Sequence, residues 1–181
     1  MSMTDVGNIY GEALYSLCQE EGIAKSVLTQ LAVLETSFSE EPAFIRLLSS
    51  PALTKAERCS IIDSSFRGHL QPYLLNFLKI LTEKGYMRNF SDCCNAYRDC
   101  YNKDHNILPV TATTAEALTE DQVVRLTEKL STLTGKTIQL HNHIDEKVLG
   151  GVRLDYDGKR LDDTIVNRMD NIRTLLKNTV L

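Results

Sequence analysis

From Val6 to Asp104 the apolar residues recur at three- and four-residue spacing in successive blocks, each closed by polar or glycine punctuation, which is the mark of amphipathic helices. The first block, Val6 to Glu21, puts Ile9, Ala13, Leu14 and Leu17 on one side and has Gly22 placed to end it. Val27, Leu31, Leu34 and Phe38 mark a second helix, and Pro42 to Leu48 a short third one. Thr54-Lys55-Ala56-Glu57 has capping-box spacing, in which hydroxyl and carboxylate satisfy orphan amides reciprocally. Ile61, Ile62 and Phe66 supply the buried face of the helix it opens. Pro72 suits the start of a fifth helix carrying Leu74, Leu75, Phe77, Leu78 and Leu81, with Gly85 at its end. A sixth runs from about Phe90 to Asp104. The short connections predict an all-α, antiparallel six-helix bundle.

The pattern changes at Asn106-Ile107-Leu108-Pro109. Val110 to Thr114 is rich in β-branched residues and predicts a strand beginning after the proline. Thr119-Glu120-Asp121-Gln122 is another capping-box spacing, followed by Val123, Leu126, Leu130 and Leu133 before Gly135. Thr137 to His141 alternates again. Val152, Leu154 and Tyr156 alternate with Arg153 and Asp155. Asp157-Gly158 suits a two-residue turn that needs positive φ at both positions, and Lys159 to Leu161 is the return strand. Asp162-Asp163-Thr164 offers capping side chains for a closing helix with Ile165, Met169, Ile172, Leu175 and Leu176 at helical spacing. The expected architecture is a six-helix bundle over 1–105 and a small α+β domain over 106–181 with the order β-α-β-β-β-α. The link between them, near residues 103–108, is expected to be short.

Composition narrows the function. The 181-residue chain carries a formal net charge of −4 and a pI near 5.6, so no broad basic surface is available and nucleic acid is not expected as a partner. The N-terminus lacks the basic start and apolar core of a signal peptide, and no apolar run reaches the length of about 18 residues that a spanning helix needs. Any membrane association is therefore expected to run through other proteins, without direct insertion. The five cysteines, Cys18, Cys59, Cys93, Cys94 and Cys100, are odd in number and lack C-x-x-C spacing, which fits free thiols in a reducing cytosol. Cys93 and Cys100 share a face of the sixth helix, where free cysteine acts as a small buried hydrophobe.

Little here resembles catalytic chemistry. Gly150-Gly151 precedes a strand rather than a helix and lacks the Gly-Lys-Ser/Thr ending, so close backbone packing is expected instead of a phosphate loop. His141, His143 and Asp145 would face one way on an extended strand, a possible ligand set without a fourth member. Turn and cap duties explain the pairs Asp145-Glu146 and Asp162-Asp163. His105 sits at the domain boundary. No nucleophile-and-base constellation is present, and no catalytic, cofactor-binding or metal-binding residue is assigned.

Asp145 followed by Leu149-Gly150-Gly151-Val152, an alternating strand and Asp162-Asp163-Thr164 resembles the C-terminal signature of the F-type ATP synthase delta subunit, homologous to the mitochondrial oligomycin-sensitivity-conferring protein. Thr164 keeps the hydroxyl of the family's serine. Asp163 replaces a glycine, and Asp is among the few other residues that accept a left-handed backbone, so the turn can survive. Upstream, Tyr10-Gly11-Glu12-Ala13-Leu14, Ser50-Pro51-Ala52-Leu53-Thr54 and Leu75-Asn76-Phe77-Leu78 fall in family order, with Gly11 weakening the first helix.

That resemblance implies a non-catalytic connector of the peripheral stalk, without a cofactor and monomeric when isolated. It would link the catalytic head to the membrane sector during proton-driven ATP synthesis, on the cytoplasmic face of a bacterial cell membrane. The helical domain would grip the N-terminal helix of an alpha subunit and the C-terminal domain the end of the b subunits. The implied groove lies between the first and fifth helices, with Tyr10, Ala13 and Leu14 facing Asn76, Phe77 and Leu81. Leu14, Phe77 and Leu81 serve equally well as bundle core. Asp145, Leu149, Gly150, Gly151, Asp162 and Thr164 form the implied structural signature. Two rival readings stand beside this one: a small metal-dependent enzyme or regulator built on the histidines and carboxylates, and a general helical adaptor for another partner.

Overall fold

A computed structural model describes residues 3–50, 53–165, 167 and 169. The chain divides into two compact units, residues 1–101 and 102–181.

The first unit is built from α1 (Met3–Glu20), α2 (Ala24–Glu40), α3 (Pro42–Leu48), α4 (Lys55–Phe66), α5 (Pro72–Lys84) and α6 (Phe90–Asp104), the last entered through a 3-10 turn at Met87–Asn89. The boundaries follow local chemistry. At the start of α4, Glu57 N–H donates to Thr54 Oγ1 at 3.3 Å and Thr54 N–H donates to Glu57 Oε2 at 2.8 Å, the reciprocal cap that the spacing predicts. Pro72 occupies the first turn of α5, where a missing N–H costs nothing, and Gly85 ends the helix at φ 77°, a left-handed angle that glycine adopts without a Cβ penalty.

Val27, Leu31, Leu34 and Phe38 of α2 and Leu74, Phe77, Leu78 and Leu81 of α5 are buried, as their spacing predicts. Tyr97 of α6 is fully enclosed, and its hydroxyl donates to the Ala24 carbonyl at 2.9 Å, so the one polar atom carried inside is satisfied. Arg98 meets Glu35 at 2.7 Å and Ser91 donates to the same carboxylate at 2.9 Å, tying α6 to α2.

The face that α1 buries corrects the sequence reading. Val6, Leu14, Tyr15 and Cys18 point inward with Gly7 and Gly11, while Ile9, Ala13 and Leu17 are exposed. Gly11 explains the difference. A Cβ there would lie 2.5 Å from the Cys93 carbonyl oxygen and 2.7 Å from Ala96 Cβ. Gly11 therefore permits close approach of α1 to α6, rather than merely weakening the helix.

All five cysteines are free thiols. Burial pushes Cys93 up to about 11 and Cys94 higher still, which keeps both protonated and inert in the core.

The second unit contains β1 (Ile107–Thr114), α7 (Glu120–Thr134), β2 (Thr137–Ile144), a 3-10 turn at Glu146–Val148, β3 (Val152–Tyr156) and β4 (Lys159–Asp162). The strands lie in the order β2-β1-β3-β4. β1 and β2 are parallel, joined through α7, whereas β3 runs antiparallel to both β1 and β4. Leu108, Val110 and Ala112 of β1 pack with Ile138, Leu154 and Leu130 of α7 to form the core. Asn142 fixes the entry to α7: it donates to the Ala112 carbonyl at 3.0 Å and to Thr114 Oγ1 at 2.8 Å, and accepts from Leu118 N–H at 2.8 Å.

Three local expectations change. β1 begins before Pro109 rather than after it. That is tolerated because β3 pairs only with Thr111 to Thr114, leaving the other side of Pro109 an edge. β2 runs on past His141 to Ile144. Asp163 has no positive φ; the left-handed angles lie instead at Leu149 (58°), Gly150 (150°) and Gly151 (86°). Asp157 (48°) and Gly158 (69°) form the expected hairpin turn, which puts Tyr156 opposite Lys159. Of the closing helix, Ile165, Asn167 and Met169 are helical, while Ile172, Leu175 and Leu176 lie outside the described residues.

Candidate partner-binding surfaces

In the first unit α1 and α5 run side by side in opposite directions. At one end the Tyr10 ring leans on Tyr86, just beyond α5, with centroids 5.8 Å apart. At the other, the Tyr73 hydroxyl in the first turn of α5 hydrogen-bonds Glu21, just beyond α1, which raises the Tyr73 pKa. Between these two closures lies a paired stripe of exposed residues. Ile9 (48% exposed), Ala13 and Leu17 (39%) follow one another at four-residue intervals on α1, and Asn76 and Ile80 (45%) are exposed at four-residue spacing on α5.

Of the six groove residues expected from sequence, Ala13 and Asn76 are exposed and Tyr10 is half-buried. Leu14 and Phe77 are buried and Leu81 is completely enclosed, so these three belong to the bundle core. Ile9, Leu17 and Ile80, outside those six, are the exposed apolar residues of this stripe. The signal that finds them is the offset between two rows on α1: Gly7 and Gly11 can turn to a neighbouring helix only if Ile9, Ala13 and Leu17 turn away.

In the second unit the signature residues gather at the start of the closing helix. Asp145 accepts from Lys147 N–H at 3.0 Å, capping the 3-10 turn, and its own N–H donates to the Thr114 carbonyl at 2.9 Å. The chain then passes through three consecutive positive-φ residues. The Gly150 carbonyl accepts from Ile165 N–H at 3.0 Å and the Val152 carbonyl from Asp163 N–H at 3.1 Å. A Cβ on Gly151 would collide with the Asp163 carbonyl oxygen and stand 2.9 Å from Thr164 Cα, so only glycine fits.

Thr164 is buried and caps the helix, accepting from Asn167 N–H at 3.3 Å. Asp162 holds Thr164 in turn, accepting from its hydroxyl at 2.7 Å and its amide at 3.0 Å, and these two bonds lower the Asp162 pKa. Leu149 projects outward, 72% exposed, with Ile165 at 48% and Met169 at 63%.

His141 and His143 share one face of β2, but among the described residues no three His, Cys, Asp or Glu side chains come together where they could hold a metal ion. No described helix is long and apolar enough to cross a membrane.

Comparison with known proteins decides the family. The profile described as ATP synthase delta (OSCP) subunit matches residues 6–176. The chain belongs to the ATP synthase delta (OSCP) subunit family. A relative named ATP synthase subunit delta from Alkaliphilus oremlandii is 32% identical over 176 residues, covering 97% of this chain and 98% of the relative. One of the same name from Clostridioides difficile is 27% identical over 176 residues, covering 97% of each. A chain in the cryo-EM structure of the Toxoplasma gondii mitochondrial ATP synthase hexamer shares the fold, with a TM-score of 0.74 at 16% identity over 94% of this chain and 96% of that one. As an OSCP/delta protein the chain is a peripheral-stalk subunit of an F-type ATP synthase, a structural stator component rather than a catalytic subunit. That membership does not favour the metal-dependent enzyme or the general adaptor.

Proposed function

We propose that this subunit joins the stator at two separate surfaces: the α1/α5 groove holds the N-terminal helix of an alpha subunit, and the unit beginning near residue 106 holds the end of the b subunits. The complex would work at the cytoplasmic face of a bacterial cell membrane, with the chain peripheral and monomeric when isolated. The task is mechanical. A rotary machine transmits work only if its catalytic head is kept from turning with the rotor, so the connector needs firm contacts at both ends.

One observation carries the groove assignment. Ile9, Ala13, Leu17 and Ile80 form an exposed apolar strip between two antiparallel helices, over a floor made by Leu14 and Phe77. An amphipathic helix laid along such a strip gains affinity from its apolar face and register from its side-chain spacing. Ala13, between Ile9 and Leu17, leaves room for a close backbone. In the second unit, the exposed Leu149, Ile165 and Met169 beside the clamped helix start support the b-subunit assignment.

Calorimetric titration with a peptide copying the alpha-subunit N-terminal helix tests the first surface. Ala13→Arg and Ile80→Asp change exposed positions and should each weaken binding by about tenfold or more, the effect of placing bulk or an unpaired charge in an apolar contact. Unchanged affinity in both folded variants would remove the groove assignment. Titration with a soluble b-subunit segment tests the second surface in the same way, with Leu149→Asp as the variant.

A further inference from the structure

The charges around the α1/α5 groove are unevenly placed. α1 contains no lysine, arginine or histidine between Met3 and Glu20. Its row Glu12-Ser16-Glu20 lies beside the apolar row Ile9-Ala13-Leu17, on the side away from Tyr10 and Glu21, which face α5. All three residues of that outer row are exposed, and among the described residues neither Glu12 nor Glu20 makes an ion pair.

The α5 side differs. Lys79 is engaged with Asp63 of α4 at 2.7 Å, and Glu83 accepts from Cys59 of α4 at 3.7 Å, so both turn toward α4. Asn76 is neutral. Lys84 stands at the end of the groove near Tyr86, and Glu21 at the opposite end is bound to Tyr73.

From this we infer that the groove is selective for the charge of its occupant: it takes an amphipathic helix whose flank over α1 carries lysine or arginine and whose flank over α5 is neutral. This rests on the groove assignment above and adds to it. Apolar contact supplies most of the affinity, while the unpaired Glu12 and Glu20 set the orientation of the bound helix and speed its capture. A helix inserted the other way round would bring its basic flank over Asn76 and leave both glutamates without partners.

The test uses the full-length protein and a synthetic peptide copying the N-terminal helix of the alpha subunit from the same organism, in native form and with its lysines and arginines replaced by glutamate. Kd is measured at about 50 mM and about 300 mM salt, between which the screening length shortens about 2.4-fold. The native peptide should bind about three- to tenfold more weakly at the higher salt, the scale of one or two exposed ion pairs. The Glu12→Gln/Glu20→Gln variant should show that weakening already at low salt and little further salt dependence, with an unchanged circular-dichroism melt. The charge-reversed peptide should bind the wild type more weakly than the native one, with most of that difference gone in the variant. Equal Kd values for the native peptide across both salts and both proteins would overturn the charge selectivity and leave the groove standing. Absence of any binding would overturn the groove assignment and the selectivity with it.

Discussion

Gly11 of α1 lies so close to Cys93 of α6 that a Cβ at position 11 would stand 2.5 Å from the Cys93 carbonyl oxygen. This contact turns α1 about its axis: with Gly7 and Gly11 against α6, the row Ile9-Ala13-Leu17 must face outward. One backbone approach thereby sets both the packing of the bundle and which apolar residues of α1 stay exposed.

Gly11→Ala should therefore destabilise the protein, although alanine is favoured over glycine within a helix by about 1 kcal/mol. The added methyl group meets backbone, which cannot step aside as a flexible side chain can, and overpacking of this kind costs about 1–3 kcal/mol. Urea unfolding should show a lower midpoint for Gly11→Ala. A midpoint equal to or above that of the wild type would show that the two helices have room to spare.

Gly151→Val should loosen the second unit. The position combines φ 86°, which a β-branched residue resists, with contact against the Asp163 and Thr164 backbone. The expected loss is about 2 kcal/mol or more, the sum of backbone strain and overpacking. Binding of the b-subunit segment should fall and binding of the alpha-subunit peptide should persist, both read in one preparation. Loss of both would argue against separate binding roles for the two units; loss of neither would show that Gly151 has no special backbone duty.

Asp162 gives a pH test with a definite sign. The Thr164 hydroxyl and amide donate to its carboxylate and lower its folded-state pKa, so its contribution is fully present above the unfolded value of about 3.9 and fades as pH falls through the folded one. Asp162→Asn keeps an acceptor but removes the charge. The stability difference between wild type and variant should be largest at neutral pH and shrink below about pH 4, as the wild-type carboxylate begins to take up protons. A difference independent of pH would mean that its charge does not matter.

Much of this fold is legible in the chain because its signals are local. Thr54 and Thr119 announce their helices through capping boxes, Gly85 and Gly135 end theirs at positive φ, and Asp157-Gly158 makes its turn from two residues alone. The misread face of α1 has the opposite origin. Apolar periodicity favours isoleucine, alanine and leucine, while the residues that turn inward include two glycines whose role depends on α6, some eighty residues later. Leu81 shows the same dependence, since nothing in its own spacing distinguishes the enclosed side of α5 from the side that carries Ile80. Asp163 stands where the family pattern has glycine and could accept a left-handed backbone, but the positive-φ turn is made by Leu149, Gly150 and Gly151, which hydrogen-bond the helix start around it.

The most direct test of a two-ended connector is a reconstitution of three components: the catalytic head lacking this subunit, a soluble segment of the b subunits, and the full-length chain, followed by size-exclusion chromatography. All three should elute together, with the b segment leaving the complex when this chain is omitted and the chain and b segment both leaving the head when Ala13→Arg and Ile80→Asp are combined. Co-elution of the b segment with the head in the absence of this chain, or an undiminished complex with the doubly substituted groove, would contradict that role.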